Sequence, residues 1–395
     1  MKEYLDFKNS RISEKISKPF LRADLPLAGQ FLKEEEIGTD FSFPLTLSFC
    51  EESTSIQVNE SIDPNILFKK YLYKTGTINT LVNHFSDCAE MIIDKLKHES
   101  ILDLGCNDFT FLKNFLGKSK TILGIDPSDI SKNNQVDGIS LENDFFNHSL
   151  SEDLKNKYGQ FDVIFSSNNF AHIENIKDYT AGISNLIKDG GTFVCEVHWA
   201  GTLIKNVQFP FIYHEHLYYH TLKALSYLLN QYGLFIYRVQ DINIHGGSIR
   251  IFASKTLNKQ DESVESFYSK EDSLGLYKFQ TYSEFSDKIL QLKKSSKEIL
   301  NKLKDKNKKI YGYGASGQAN TLMSFFDITK DDLSFIIDDS PVKHNLYTPK
   351  NHIQIKNKEF LNQHPASDIY ILAYTFEKEI REKNKDLLVD WHFPF

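Results

Sequence analysis

From residue 100 onward, short apolar runs and amphipathic stretches take turns: "SILDLG", "FLKNFLG", "TILGID", "FDVIFSS", "YTAGISNLIKDGG", "GTFVCEVH". Strands that are apolar on both faces must be covered on both faces, and parallel neighbours need a crossover between them. The pattern therefore predicts a parallel sheet flanked by helices. Two later runs, "GLFIYRVQDI" and "SIRIFAS", read as an antiparallel pair that closes this sheet. Ahead of it, Leu81, Val82, Phe85, Cys88, Ala89, Ile92 and Ile93 recur at helical spacing.

The remaining segments divide the chain. Residues 1–65 read as a small N-terminal lobe with short strands in "PLTLSF" and "TSIQV", and 66–255 as the main α/β domain. Residues 256–308 are a polar, helical linker whose apolar stripe is Phe285, Ile289, Leu292, Ile299 and Leu303. Residues 309–395 repeat the strand-helix-strand pattern in "KKIYGYG", "QANTLMSFF", "LSFIIDD" and "DIYILAYT", a half-size Rossmann-like module.

A net charge of −7 gives no reason to expect a nucleic acid partner. The four cysteines form no Cys-x-x-Cys pair, so a disulfide framework is not indicated and a reducing cytoplasm fits. The N-terminus lacks an apolar signal core, and no apolar run reaches the ~20 residues that span a bilayer, so no membrane partner is expected.

Two loops have the form of nucleotide sites. "ILDLGCNDFTFL" (101–112) is an apolar strand entering a glycine turn and then a helix, where open parallel sheets place their ligands. Gly105 lets a ligand approach the backbone. Asp126, twenty-one residues on, stands where a carboxylate can accept from both hydroxyls of a ribose. Phe109 and Thr110 replace the third glycine of the dinucleotide pattern. Asp103 and Asp108 suit a sulfonium and an ammonium better than a diphosphate, so S-adenosylmethionine (SAM) fits. "FDVIFSSNNFAHIENI" brings Asn168, Asn169 and His172 to another strand end. The second loop, "IYGYGASGQANTL", holds Gly312, Gly314 and Gly317, with Asp338 twenty-one residues after Gly317, a dinucleotide fingerprint. The chain left after residue 309 is too short for both halves of a dinucleotide domain. An anionic group at the loop is the expectation.

Together these residues resemble the SAM-dependent sugar C-methyltransferases, which act on nucleotide-linked 4-keto-6-deoxy sugars. The similarity runs nearly the whole length, through "DPNILFKKYLYKTGT", "ILDLGCNDFTFL", "GIDPS", "SSNNFAHIENI", "IYHEHLYYH", "HGGS", "IYGYGASGQANTL" and "FIIDDSPVKHNLYTPKNHIQI". "YHEH" followed by "HGGS" is its most specific part. The implied architecture is a class I SAM-methyltransferase Rossmann-like domain flanked by the N-terminal lobe and the C-terminal α/β domain. The family pattern carries cofactor contacts to Asp103, Gly105, Asn107, Asp126, Pro127, Asn168 and Asn169.

It also implies deprotonation at C3 of the keto sugar by His216, with Glu215, Tyr213 and Tyr73 assisting, and methyl transfer to the resulting enolate. A histidine suits this step because it titrates near neutrality. Substrate contacts fall on His172, His245, Gly246, Gly247, Ser248, Arg250, Gly314, Ala315 and Lys343. The diphosphate is expected against Arg250, Lys343 and the "GYGASG" turn. His172 is a second candidate base. A metallopeptidase His-Glu-x-x-His is excluded because Tyr218 stands where the second histidine is needed.

Members of that family open with two zinc-binding Cys-x-x-Cys pairs. Here Cys50 remains, Ser53 replaces its partner and "NSRI" (9–12) occupies the first pair, so zinc is not expected. Gln318 stands where many relatives have a lysine. A monomer or homodimer is expected. The alternatives are a nicotinamide-dependent nucleotide-sugar oxidoreductase, argued from the second loop, and an O-methyltransferase.

Overall fold

The computed structural model describes residues 4–68, 74–256, 260–305 and 309–394. Tyr73 lies outside them. The chain forms two compact units, each assembled from separate stretches. The first comprises Met1–Lys18, Ser48–Thr202 and Leu217–Phe279; the second comprises Pro19–Leu47, Leu203–His216 and Gln280–Phe395. The division is not sequential, so the "IYHEHLYYH" segment changes unit after His216.

The first unit is built on a seven-stranded sheet. Its strands lie in the spatial order Ser140–Glu142, Thr121–Ile125, Ser100–Leu104, Phe161–Ser167, Ile187–His198, Ser248–Ser254, Phe235–Ile242. The first five run parallel. Ser248–Ser254 is antiparallel to both of its neighbours, as the late apolar runs suggested. Numbered along the chain, the order is 3-2-1-4-5-7-6, that of a class I methyltransferase Rossmann-like sheet. Helix Asn79–Lys95 buries Leu81, Phe85, Cys88, Ala89 and Ile92 against this sheet, together with Phe111, Phe115, Phe165 and Phe252. In the same unit, strand Ser55–Val58 pairs with Tyr218–Tyr219.

One local expectation is corrected. "FLKNFLG" does not form an α-helix; only a 3-10 turn, Leu112–Phe115, follows the loop. Phe109, Phe111, Leu112 and Phe115 are all buried, and Phe109 has φ +63°. A left-handed residue cannot open an α-helix, so the chain leaves the loop through this short turn instead.

The second unit contains a five-stranded, all-parallel sheet: Ile355–Lys356, Ile336–Ile337, Ile310–Tyr313, Asp368–Ile371, Asp390–His392. Its order is 3-2-1-4-5, wider than half of a doubly wound sheet, because "IQIK" and "DWH" each add a short edge strand. Helix Phe279–Asp305 lies, apart from its first residue, in this unit. It buries Tyr282, Phe285, Ile289, Leu300 and Leu303, while Leu292 and Ile299 sit half-buried at the margin of the expected stripe. Among the described residues no helix is long and apolar enough to cross a membrane.

Candidate active site

Three adjacent parallel strands of the first unit end together, and the sequence places its cofactor candidates at those ends. Gly105 follows strand Ser100–Leu104 with φ +85°, and a Cβ there would stand 2.9 Å from the Asn169 side chain. Only glycine fits that conformation without strain. Asp126 follows the neighbouring strand. Its Oδ2 accepts the N–H of Asn107 at 2.9 Å, and its Oδ1 accepts the N–H of Ser128 at 2.8 Å. Pro127 beside it is half-buried. On the other flank, Asn168 (φ +52°) donates its N–H to the Glu196 carbonyl, 2.9 Å. Asn169 donates to the Leu104 carbonyl at 3.2 Å and lies 2.8 Å from the Tyr179 hydroxyl. Half-buried His172 closes the following 3-10 turn.

The electrostatics of this cluster favour a cation. Asp103 is 4% exposed, and burial first, then the charges of Asp126 and Glu196, raise its carboxyl well above the usual range. A positive ligand nearby relieves that penalty; a diphosphate deepens it. The acidic, amide-rich strand ends therefore fit SAM. Asp108 does not join them. Its Oδ2 accepts the Gly76 N–H at 2.8 Å and its Oδ1 bonds Thr110, while Asn107 Oδ1 accepts the Thr75 N–H at 3.0 Å. Both side chains fasten the loop to the segment ahead of helix Asn79–Lys95.

The histidine segment separates into distinct roles. His214 is fully buried with Nε2 3.1 Å from the Pro44 carbonyl, and burial lowers it to about 4. His220 is equally enclosed and lowered to about 3. Both are neutral packing residues. His216 differs. Its Nδ1 is 3.1 Å from the Phe211 carbonyl oxygen, which can only accept, so the proton of the neutral ring sits on Nδ1. Nε2 is thereby the basic nitrogen, and it lies 3.1 Å from the Tyr213 hydroxyl. Loss of water around Glu215 pushes its carboxyl up to about 7, against the pull of backbone N–H groups at Glu215 and Gly29. Leu217, next in the chain after His216, donates its N–H to the Ala171 carbonyl at 2.8 Å, one residue from His172.

The glycine turn of "HGGS" joins the last two strands of the sheet. His245, Gly246 and Gly247 have φ of +49°, +78° and +117°. Gly247 accepts the Trp199 N–H at 3.2 Å, and a Cβ on it would fall 2.7 Å from Thr202. Ser248 is buried beneath the turn.

The chain is similar to known proteins along most of its length. The methyltransferase domain family matches residues 81–239, and the C-methyltransferase C-terminal domain family matches residues 243–392. C-methyltransferase NovU of Streptomyces niveus is 25% identical over 373 residues, covering 92% of this chain and 88% of that protein. The chain is a SAM-dependent C-methyltransferase. A tRNA U34 carboxymethyltransferase of Cellvibrio japonicus is 28% identical over 157 residues, covering 37% of this chain and 48% of that protein.

Two cations expected on the substrate of this C-methyltransferase are engaged elsewhere. Arg250 is paired with Glu196 at 2.6 Å, and Glu196 is wholly buried. The groove that Arg250 lines also carries Asp87 and Asp241, the wrong sign for a diphosphate. Lys343 donates to the Ala315 carbonyl at 2.7 Å and lies 3.3 Å from both oxygens of Asp338. Asp338 in turn accepts the N–H groups of Ala315 (2.7 Å) and Ser340 (2.9 Å), the same pattern that Asp126 makes with Asn107 and Ser128. Gly314 has φ +91° against Ala373, and Ser316 caps the following helix at Ala319.

The sequence reading missed Glu196, His84 and Ser167. Glu196 accepts from Ser167 Oγ at 2.7 Å and lies 3.0 Å from His84 Nε2. The signal was a single carboxylate inside the apolar strand "GTFVCEVH", since a buried charge requires partners.

Proposed function

We propose that this C-methyltransferase alkylates the carbon next to the ketone of a nucleotide-diphosphate-linked 4-keto-6-deoxy sugar, with His216 as the general base. The observation that carries the reading is the tautomer of His216. Its Nδ1 faces the Phe211 carbonyl at 3.1 Å, which favours the proton there, and its Nε2 faces the Tyr213 hydroxyl at 3.1 Å. A ketone acidifies the adjacent C–H bond, and a base titrating near neutrality removes that proton without a large shift. In this reading Tyr213, 3.1 Å from Nε2, bonds the ring before the substrate arrives and donates to the enolate oxygen afterwards. Glu215, poised near neutrality, orients the sugar through a hydroxyl.

Gly105, Asn107, Asp126, Pro127, Asn168 and Asn169 would hold SAM, with Asp103 balancing its positive charge. SAM, when bound, supplies the electrophilic methyl group. Tyr73, by its place in the resemblance, is a further donor to the substrate. His172, His245, Gly246, Gly247 and Ser248 are proposed to line the sugar side. Gly314, Ala315 and Lys343 are proposed on the nucleotide side, with Lys343 exchanging Asp338 for a phosphate oxygen.

The test is His216→Asn, assayed with SAM and a panel of nucleotide 4-keto-6-deoxy sugars by mass gain of one methyl group. SAM affinity is expected to persist while methyl transfer falls by about 10²–10⁴-fold, the usual contribution of general base catalysis. Retained activity moves the base to His172 or to a tyrosine. Solvent deuterium exchange at the sugar carbon distinguishes C- from O-transfer, because O-transfer needs no C–H cleavage.

A nicotinamide-dependent reaction draws support from the Gly312–Gly314–Gly317 turn and Asp338. Against it, Asp338 is also engaged by Lys343, for which Asp126 has no counterpart among the described residues, and the Ala28 carbonyl lies 3.4 Å from where a Cβ of Gly317 would stand. Calorimetry with SAM and with NAD(P) separates the two.

A further inference from the structure

The N-terminal lobe contains two short turns of matching construction. In "SRISE", Ser10 Oγ accepts the N–H groups of Ile12 (3.2 Å) and Ser13 (3.3 Å), and Glu14, the residue after Ser13, has φ +62°. In "CEEST", the Cys50 sulfur accepts the N–H groups of Glu52 and Ser53, and Thr54, the residue after Ser53, has φ +50°. In each turn the first side chain receives N–H groups from two and three residues on. A left-handed residue then follows the second side chain, a conformation usually left to glycine. Such turns in pairs, with thiolates at the first and fourth positions, are how a Cys₄ zinc site is assembled from two Cys-x-x-Cys segments.

Here the four positions are Ser10, Ser13, Cys50 and Ser53, and they converge. Ser10 Oγ is 3.3 Å from Ser53 Oγ, Ser13 Oγ is 3.3 Å from Cys50 Sγ, and Ser13 Oγ is 3.4 Å from Ser53 Oγ. Ser55 completes the set at 3.1 Å from Ser10 and 2.7 Å from Ser53. Ser10, Cys50, Ser53 and Ser55 are each 1% exposed. The donor chemistry does not fit zinc. A neutral hydroxyl is a weak ligand that does not ionise near neutrality, and one thiol supplies one charge where a tetrahedral structural site uses four Cys or His ligands. Among the described residues no group of three or more His, Cys, Asp or Glu is placed to hold a metal ion.

We infer that this lobe folds without zinc, its two metal-type turns being joined by the hydrogen bonds of Ser10, Ser13, Cys50, Ser53 and Ser55. The hydroxyls do what the ion would do: each bridges the two turns, and because a hydroxyl can donate as well as accept, the contacts need no charge. Burial raises the Cys50 thiol, but the bonds from Ser13, Ser53 and the backbone outweigh it and leave the group below its usual range. This inference is independent of the proposed substrate.

The test uses the full chain. After incubation with excess zinc and desalting, the native protein is expected to retain no stoichiometric metal by mass spectrometry, and a strong chelator is expected to leave its melting temperature unchanged. One zinc per chain, or melting that falls with chelator, overturns the inference. Ser53→Ala removes the hydroxyl that touches Ser10, Ser13 and Ser55, and is expected to lower the melting temperature by several degrees. An unchanged value means the hydroxyls hold nothing together and also overturns it. The converse variant, S10C/S13C/S53C, is expected to take up one cobalt(II) per chain with thiolate charge-transfer and tetrahedral ligand-field bands, displaced by zinc. A folded variant that gives no such bands shows that the turns are not a metal-type pair.

Discussion

Arg250→Met isolates a buried charge pair of the sheet. Arg250 and Glu196 are directly opposed across the antiparallel pair of strands Ser248–Ser254 and Ile187–His198. Both Nε and Nη2 lie 2.6 Å from Glu196 Oε1, and Glu196 has no exposed surface. Burial raises the Glu196 carboxyl, but His84, Arg250 and Ser167 outweigh it and hold the group below its usual range. Removing the guanidinium while keeping the carboxylate leaves a buried charge short of its main partner, which costs about 3–5 kcal/mol. For a unit of this size that is a drop of about 6–20 °C in melting temperature. Replacing both residues, E196Q/R250M, removes the charge as well and is expected to recover most of the loss. A native Glu with a depressed value contributes stability that is present above its unfolded value, about 4.5, and is lost as pH falls through the folded one. In R250M burial prevails, the carboxyl takes up its proton at higher pH, and the gap to the native protein narrows in acid. Urea midpoints of the four proteins of the cycle, at neutral pH and near pH 4, read both effects. An R250M variant within about 1 kcal/mol of the native protein, or a gap that does not change with pH, refutes the reasoning.

Gly105→Ala is expected to weaken SAM binding by about tenfold or more, since a Cβ meets Asn169 at 2.9 Å in a left-handed conformation costing about 1–2 kcal/mol; isothermal calorimetry measures it. His214 and His220, lowered by burial to about 4 and 3, contribute stability that is full above about pH 6.5 and is lost as pH falls toward those values, so the urea midpoint should decline over that window and His220→Phe should flatten the slope. Glu215, raised to about 7, contributes stability present below about pH 4.5 and lost as pH rises through 7; Glu215→Gln is expected to remove that alkaline decline, seen in melting against pH. Tyr213→Phe is expected to lower kcat by about 10²–10³-fold with little change in SAM affinity, as loss of a single oxyanion donor does.

The sheet was legible because its strands announce themselves: "ILDLG", "TILGID" and "FDVIFSS" are apolar on both faces, and only a covered parallel sheet accommodates that. The strand ends followed from the same logic, which is why Gly105, Asp126, Asn168 and Asn169 converge. The Arg250 pair was not legible because its partner is 54 residues away, and the match to Glu196 is set by strand register rather than by any local spacing. "FLKNFLG" misled because Phe and Leu at helical spacing say nothing about burial on the other faces. The pairing of Ser10 with Ser13 was invisible for another reason. Serine carries no spacing signal, and the left-handed backbone at Glu14 and Thr54 is marked by no glycine. Lys343 could be placed near the second loop, but not on the Ala315 carbonyl, since that contact depends on how residues 338–343 turn.

Asp103 gives ligand capture a proton stoichiometry. Burial and the charges of Asp126 and Glu196 raise this carboxyl, and a sulfonium beside it favours the ionised form, so the heat of SAM uptake should vary with the ionisation enthalpy of the buffer. Association should also tighten as the solution becomes more alkaline. The enzyme would then count the charge of its methyl donor, favouring the cationic form over the neutral product left after transfer.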